Sequence, residues 1–184
     1  MKKKISIVIP CLNEEKNIKK IYLAIKKKFK EKNYEIIYVD DDSLDNTQNE
    51  ILKLNKKENN VRYIFRTNDK DLSRSFNAGL NISKSKYVIL MDCDLQHDPE
   101  ILNKLYSSIQ TRGTQCVSGS RFMKRSINNT KKIKYVFRLM LSKILNYVIN
   151  FFLNMNLTDP LTGIFIVERK VFLKQKKKIV FKWL

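Results

Sequence analysis

The stretch that decides the fold is KYVILMDCDLQHDPE, residues 86–100. Within it, residues 87–91 form an unbroken apolar run of strand-forming side chains, followed at once by two carboxylates, Asp92 and Asp94. A short apolar run bounded by polar residues is typical of a buried parallel strand. In an open α/β sheet, ligands bind at the carboxyl ends of the strands. The stretch therefore predicts a central strand whose acidic end lies at the ligand-binding edge.

These two acids are suited to a divalent metal ion. Residues i and i+2 of an extended segment point the same way, so Asp92 and Asp94 can converge on one cation. Carboxylate oxygens with few other protein ligands favour Mg²⁺ or Mn²⁺, while water and substrate phosphates fill the remaining positions. Gln96 continues the spacing and could add a neutral oxygen. An Asp-rich surface turn is the alternative, but the position after a fully apolar strand favours the metal site.

Upstream of this strand, two more apolar runs predict buried strands. Residues 5–9 are closed by Pro10, and residues 34–39 end in three consecutive acids, residues 40–42. The predicted strands at residues 34–39 and 87–91 would then both end in carboxylates, in one parallel sheet. Such a concentration of negative charge requires a cation or hydrogen-bond donors. Shorter runs at residues 61–65, 115–118 and 164–167 predict further strands.

Helical patterns separate the predicted strands. Asn13 is the predicted N-cap of a helix with Glu14 in its first turn, and Asp98 is the predicted N-cap of a helix that starts at Pro99. Residues 72–83 predict a third helix with one polar face, in which Gly79 permits close packing. Alternating strands and helices indicate an α/β fold, a three-layer Rossmann-like arrangement of a mostly parallel sheet with helices on both faces.

Length and charge limit the organisation of the chain. Its 184 residues predict one domain, residues 1–184, and its three cysteines lack metal-ligand spacing, which predicts reduced cytosolic thiols. The net charge is +19. The basic excess is only 6 in residues 1–120 but 13 in residues 121–184. Such a field attracts phosphorylated substrates, anionic lipid or nucleic acid.

Residues 131–153 are apolar at most positions but include Arg138 and other charged or polar residues. This pattern predicts an amphipathic helix in a membrane interface rather than a helix that spans the bilayer. Packing of the same helix on the domain's own sheet is the alternative. Nucleic acid is disfavoured as a partner because acids converge at the predicted ligand edge and no aromatic stacking platform is evident.

The sequence VSGSR, residues 117–121, would bring Arg121 to the same sheet edge as the acids. A guanidinium there could bind a diphosphate through two hydrogen bonds, although a structural salt bridge is the alternative. The chain has no Walker lysine, no G-x-G-x-x-G and no other glycine-rich phosphate loop. A metal ion held by acids is therefore the predicted means of binding a nucleotide diphosphate.

Six motifs occur in an order that resembles the family 2 inverting glycosyltransferases of the GT-A fold. They are IVIPCLNEEKNI at residues 7–18, VDDDSLDNT at 39–47, the segment 73–79, MDCDLQHDPE at 91–100, VSGSR at 117–121 and TDPLTG at 158–163. Within that family, the chain is most similar to dolichol-phosphate mannose synthase and the bacterial polyprenyl-phosphate glycosyltransferases. The resemblance covers nearly the whole chain.

The resemblance implies roles for individual residues. The residues implied to contact the donor nucleotide and its sugar are Pro10, Leu12, Glu14, Val39, Asp41, Asp92, Cys93 and Asp94. The residues implied to hold Mg²⁺ or Mn²⁺ are Asp92, Asp94 and Gln96. Arg121, and more loosely Arg138, would lie beside the donor or acceptor phosphate, and Asp159 would lie near the acceptor. Asp94, Arg121 and Asp159 are thus the implied catalytic residues.

The implied reaction is metal-dependent transfer of a sugar, with inversion, from GDP-mannose or a UDP-sugar to a polyprenyl phosphate. It would take place at the cytoplasmic face of a membrane, with the basic last third on anionic lipid. One alternative is a saccharide or protein acceptor, for which Asp159 would act as the base. A second is an inactive membrane-associated domain, or one that needs a membrane subunit, because the family continues past the position of Leu184. The family also usually has Gly in place of Asp42 and often Tyr in place of Leu12.

An aspartyl phosphatase is a further alternative for the Asp-x-Asp pair. Those enzymes place the pair after the first strand and follow it with Thr or Val, whereas here it follows the fourth predicted strand and precedes Leu95. The position of the pair therefore favours the transferase.

Overall fold

A computed structural model describes residues 4–67, 70–95, 97–111, 113–119 and 163–176. The strands in these ranges are β1 (Ile5–Cys11), β2 (Tyr34–Asp41), β3 (Val61–Arg66), β4 (Tyr87–Met91), β5 (Cys116–Ser118) and β6 (Ile164–Glu168). The helices are α1 (Ile18–Lys28), α2 (Thr47–Lys57), α3 (Leu72–Ile82), α4 (Ile101–Ile109) and α5 (Arg169–Lys176). Strands and helices alternate through the first part of the chain, as the sequence predicts.

The strands form one sheet in the order β3-β2-β1-β4-β6-β5. Strand β1 pairs in parallel with β2 and β4, and β2 pairs in parallel with β3. Strand β6 runs antiparallel to β4, with Ile164 opposite Met91. The carboxyl ends of β1 to β4 and the start of β6 therefore share one edge of the sheet, called the carboxyl edge below. The predicted mostly parallel α/β sheet is confirmed.

The two faces of the sheet carry separate hydrophobic layers. Residues at alternate positions of β1, β2 and β4 pack under α1, α2 and α4 on one face. The intervening residues pack under α3 and α5 on the other face. Because side chains of a strand alternate between faces, apolar residues at every position of a strand require helices on both sides. The predicted three layers are confirmed.

Helix α3 lies unusually close to the sheet at Gly79. A Cβ atom at this position would lie 3.0 Å from one methyl group of Val8, closer still to the other, and 3.1 Å from a methyl group of Val39. Glycine therefore allows α3 to contact β1 and β2 directly. This contact sets the distance between α3 and the sheet, and with it the position of the first turn of α3 at the carboxyl edge.

The element boundaries are predicted well where the pattern is local. The predicted bounds of β4 are correct, and α3 ends one residue before the predicted position. The predicted starts of two helices are wrong. Helix α1 begins at Ile18, and the Asn13 side chain accepts a hydrogen bond from the backbone of Leu44 instead of capping the helix. Helix α4 begins at Ile101, two residues after Pro99.

The turn before α4 explains the second error. The Asp98 side chain accepts a hydrogen bond from the Glu100 backbone N–H at 2.9 Å. It also forms an ion pair with Lys28 at 2.8 Å. Asp98 therefore stabilises a turn that precedes the regular helix, instead of the first turn of the helix itself.

The chain divides into two units, residues 1–117 with 164–184, and residues 118–163. The second unit lies almost wholly outside the described residues, as do the predicted interfacial helix at 131–153 and four predicted site residues, Gln96, Arg121, Arg138 and Asp159. In the part of the chain that the structure describes, no helix has the length and apolar character needed to cross a bilayer.

Candidate functional site

The loops that follow β1 and β2 are joined by reciprocal hydrogen bonds. The backbone N–H of Asn13 donates to the Ser43 hydroxyl, and the Asn13 side chain accepts from the backbone of Leu44, both at 2.8 Å. The backbone N–H of Glu14 donates to Thr47 at 2.7 Å. These bonds hold the two loops together, so the backbone beside Leu12 and Glu14 is fixed before any ligand binds.

Asp40 supports the second of these loops from inside the protein. It is fully buried, and its Oδ2 atom accepts hydrogen bonds from the backbone N–H of Ser43 at 3.1 Å and from the Gln48 side chain at 2.7 Å. Its Oδ1 atom has no hydrogen-bond partner within the described ranges. Of the two acids that end β2, Asp40 therefore has a structural role, because it holds the loop in place. Asp41 lies on the other face of the strand.

Asp41 forms a buried ion pair with Arg66, at the carboxyl end of the neighbouring strand β3. The other carboxylate oxygen of Asp41 accepts a hydrogen bond from the backbone N–H of Asp71 at 2.7 Å. Arg66 also donates to the Ser75 hydroxyl at 2.7 Å. The carboxyl ends of β2 and β3 are thereby tied to the first turn of α3, and Asp41 is held in one orientation.

Beside this ion pair, an open groove of about 280 Å³ lies at the carboxyl ends of β1 and β2. Its lining residues are Pro10, Cys11, Leu12, Asp41, Lys70, Asp71, Leu72 and Ser75. Leu12 and Leu72 are exposed there and give the groove apolar surface. The volume is near the lower limit for pockets that bind small molecules, and fits part of a nucleotide, such as a base.

The second feature of the carboxyl edge is the acid pair after β4. Burial, with a further contribution from the negative charge of Asp94, raises the pKa of Asp92 to about 6. The two carboxylates are therefore close enough to repel each other when both are ionised. A divalent cation between them would offset both the burial and the repulsion, so this pair fits the predicted metal ion.

Two residues that the resemblance implies as donor contacts, Val39 and Cys93, have buried side chains. The Val39 side chain is fully buried under α3 and does not line the groove. Cys93 is also buried, in the layer under α1 and α4, together with Cys11. Burial and a hydrogen bond with Cys93 raise the pKa of the Cys11 thiol well above its usual value, so this thiol is unreactive at neutral pH.

The described residues leave the metal site with two acids. Within them, no group of three or more histidine, cysteine or acidic side chains is arranged to hold a metal ion. Gln96, the third predicted ligand, lies outside the described residues. Two protein carboxylates with oxygen ligands from water and phosphate are a usual arrangement for Mg²⁺ at nucleotide sites.

Sequence reasoning missed the residues that hold Asp41 in place. Arg66 and Asp71 bind Asp41 directly, and Ser75 accepts a hydrogen bond from Arg66, although none of the three was predicted as part of the site. One signal for Arg66 was available, because it is a cation at the end of the strand that follows the acidic end of β2. The signal for Ser75 was weaker, since it depends on which face of α3 lies against the sheet.

Comparison with known proteins places these features in one family. The profile of "Glycosyl transferase family 2" matches residues 6–175. A dolichol-phosphate mannosyltransferase of Pyrococcus furiosus is 33% identical over 177 residues, covering 91% of this chain and 47% of that protein. The dolichol-phosphate mannosyltransferase of Saccharomyces cerevisiae is 31% identical over 173 residues, covering 90% of this chain and 61% of the yeast protein. The chain thus spans about half the length of these relatives.

Solved structures show the same fold. A mannosyltransferase from Pyrobaculum calidifontis, in complex with GDP-Man and Mn²⁺, superposes with a TM-score of 0.64 at 14% identity, covering 95% of this chain and 47% of that one. A glucosyl-3-phosphoglycerate synthase from Mycobacterium tuberculosis, in complex with Mn²⁺, UDP and glucosyl-3-phosphoglycerate, superposes with a TM-score of 0.63 at 19% identity, covering 92% of this chain and 58% of that one. With its sheet order, the acid pair after β4 and a profile match over most of its length, the chain belongs to glycosyl transferase family 2.

Proposed function

We propose that this chain is the catalytic domain of a metal-dependent inverting glycosyltransferase. It would move a sugar from GDP-mannose or a UDP-sugar to a polyprenyl phosphate at the cytoplasmic face of a membrane. The observation that carries the proposal is the acid pair Asp92 and Asp94 at the same sheet edge as the groove beside Asp41. The relatives named dolichol-phosphate mannosyltransferase support the choice of acceptor and of mannose as a candidate sugar.

The groove would take the nucleobase of the donor. Both carboxylate oxygens of Asp41 already accept one hydrogen bond each, from Arg66 and from the Asp71 backbone. A carboxylate oxygen can accept a second bond, so Asp41 can still receive an N–H group of a base. The exposed Leu12 would cover the base with apolar surface, and Glu14 would lie at the rim of the site.

The diphosphate would lie towards the acid pair. Asp92 and Asp94 would hold Mg²⁺ or Mn²⁺, which when bound offsets the negative charge that develops on the departing diphosphate. Arg121 and Arg138 are proposed as phosphate ligands from the part of the chain that the structure does not describe. Cys93 would leave room beside the metal ion because its side chain is directed into the core.

Sugar transfer to a polyprenyl phosphate needs little acid–base catalysis. Its phosphate oxygen is already anionic at neutral pH and can attack the sugar carbon without a base. Asp159 would then orient the acceptor. A hydroxyl acceptor would instead require Asp159 to remove a proton. The variant Asp159→Asn should therefore still transfer sugar to a lipid phosphate. Loss of that transfer would contradict the orienting role of Asp159.

Calorimetric titration with GDP and UDP, each with and without Mn²⁺, tests the donor site. We expect one nucleotide to bind only with the metal ion, and Asp92→Asn to abolish that binding. Asp98→Asn is the matched control, since Asp98 is an exposed acid of the same segment that pairs with Lys28. Absence of binding to either nucleotide by the folded chain, or metal-dependent binding that survives Asp92→Asn, would refute the proposal.

A further inference from the structure

The first two thirds of the chain carry their net positive charge in one segment. Residues 16–32 contain eight lysines and a single acid, Glu31. The remainder of residues 1–120 contains 14 basic and 15 acidic residues and is therefore nearly neutral. A general preference for lysine would spread the charge evenly, so this concentration on α1 and its flanks requires a local explanation.

The lysines of α1 form one stripe on its solvent side. The buried residues of the helix face the sheet and are Ile18, Ile21, Tyr22 and Ile25. At 100° per residue, an exposed set lies on the opposite side within an arc of about 100°. This set, called the lysine face below, consists of Lys19, Lys20, Leu23 and Lys27. Leu23 is 50% exposed and lies between the lysines.

Nearby acids do not neutralise the lysine face. Lys26 pairs with Glu58 at 3.0 Å, and Lys28 pairs with Asp98 at 2.8 Å, so the acids on both sides of α1 are already engaged by other lysines. Among the described residues, no carboxylate forms an ion pair with a lysine of the lysine face. The uncompensated charge therefore acts outward into solvent.

Helix α1 is also the central element of its layer. It connects β1 to β2, α2 follows on one side, and α4 lies on the other side, where Asn103 accepts from the backbone of Lys30 and donates to that of Lys28. A flat surface that approaches this side of the domain therefore meets α1. The lysine face is placed for contact with an extended partner, not for contact within a cleft.

We propose that the lysine face docks the domain on an anionic lipid surface, with the lysines among the headgroups and Leu23 in the outer part of the acyl layer. An exposed leucine ringed by lysines has the composition of an interfacial helix. Nucleic acid is disfavoured because the lysine face has no aromatic or arginine side chain to stack on bases. The inference rests on the proposed function for its purpose, since a lipid-linked acceptor has to be reached from a membrane.

Co-sedimentation of the full chain with vesicles tests this inference separately from catalysis. The vesicles contain phosphatidylcholine alone or with phosphatidylglycerol, and neither nucleotide nor polyprenyl phosphate is added. The test variant replaces Lys19, Lys20 and Lys27 by glutamine. The control variant makes the same change in net charge on exposed lysines elsewhere, at Lys84, Lys170 and Lys174.

We expect the test variant, which loses three lysines, to bind phosphatidylglycerol vesicles about a hundredfold more weakly, because each lysine near an anionic surface contributes about a fivefold affinity change. The control variant should bind within about threefold of the parent. Leu23→Ser, which keeps the charge, should weaken binding by about fivefold. Circular dichroism should show all variants folded.

Equal losses in the test and control variants would show that only net charge matters and would overturn the inference. It would also be overturned if neither variant lost affinity, or if the lysine face were needed for binding a random RNA duplex but not vesicles. A failed nucleotide titration would refute the proposed function and leave the vesicle result intact, so the two failures are distinguishable.

Discussion

Replacement of Gly79 by alanine tests the close contact between α3 and the sheet. The added methyl group would lie 3.0 and 3.1 Å from methyl carbons of Val8 and Val39, and closer still to the second methyl group of Val8. Val8 and Val39 are fully buried in the sheet and cannot turn away into solvent. The helix or the strand must therefore shift by a few tenths of an ångström or more.

Two opposing effects set the size of the change. Alanine is favoured over glycine inside a helix by about 1 kcal/mol. Overpacking of a close-packed core costs about 1–3 kcal/mol, and a contact with fully buried strand residues belongs at the upper end. The free energy of unfolding should therefore fall by about 1–2 kcal/mol, which lowers the thermal midpoint of a chain of this size by about 3–6 °C.

Urea denaturation of Gly79→Ala, of two further single variants and of one double variant would measure this effect. Ser73→Ala, at an exposed position of α3, is the control for helix propensity and should not lower stability. Val8→Ala removes the two Val8 methyl groups that Gly79→Ala would meet and leaves only that of Val39, so the double variant should be more stable than the sum of the single changes by at least about 1 kcal/mol. An increase in stability for Gly79→Ala, or strict additivity with Val8→Ala, would refute the close-packing argument.

Three further predictions concern the carboxyl edge. Because burial and Asp94 raise the pKa of Asp92 to about 6, the folded protein binds a proton more tightly there than the unfolded chain does, and stability without metal falls as pH rises from about 4 to 6. Asp92→Asn should therefore stabilise the metal-free protein at pH 7.5, by about 1 kcal/mol after allowance for solvent screening, and have no such effect at pH 4 or below, in urea titrations at both pH values. Asp42→Gly should raise the urea midpoint by an amount equivalent to about 0.5 kcal/mol, because Asp42 has a φ of 64°; an unchanged or lower midpoint would contradict this. Asn13→Ala should cost about 1–2 kcal/mol by the same assay, because it removes the acceptor of the Leu44 N–H and puts alanine at a φ of 57°; a cost below about 0.5 kcal/mol would show that the loop does not depend on this bond.

The apolar runs of the sequence predict the sheet well because their signal is local. A run such as Tyr87–Met91 is both long enough for a strand and too apolar to be exposed on either face, so its position and burial follow from its own residues. The antiparallel direction of β6 does not follow in this way. Its five residues are equally suitable for either direction, and the direction depends on how the chain returns to β4.

The loops show where sequence reasoning fails. Asn13 has the residue type, position and following acids of a helix cap, yet its side chain binds the backbone of Leu44, 31 residues away in sequence. Arg66 likewise finds its partners, Asp41 and Ser75, only when β2, β3 and α3 are assembled. Contacts of this kind depend on tertiary arrangement, so local propensity does not reveal them.

The features that lower the stability of the fold lie at the carboxyl edge of the sheet. In the described part of the chain, the non-glycine residues with positive φ are Asn13, Asp42 and Leu95, and they lie in the loops after β1, β2 and β4. The raised pKa of Asp92 belongs to the same edge, as does the Oδ1 atom of buried Asp40, which has no hydrogen-bond partner among the described residues. Each feature lowers stability, whereas the strands below them follow regular alternation and burial. Strain and unfavourable charge confined to the ends of adjacent strands are expected where selection acts on a ligand site, so the locations of these costs support the donor site independently of any sequence motif.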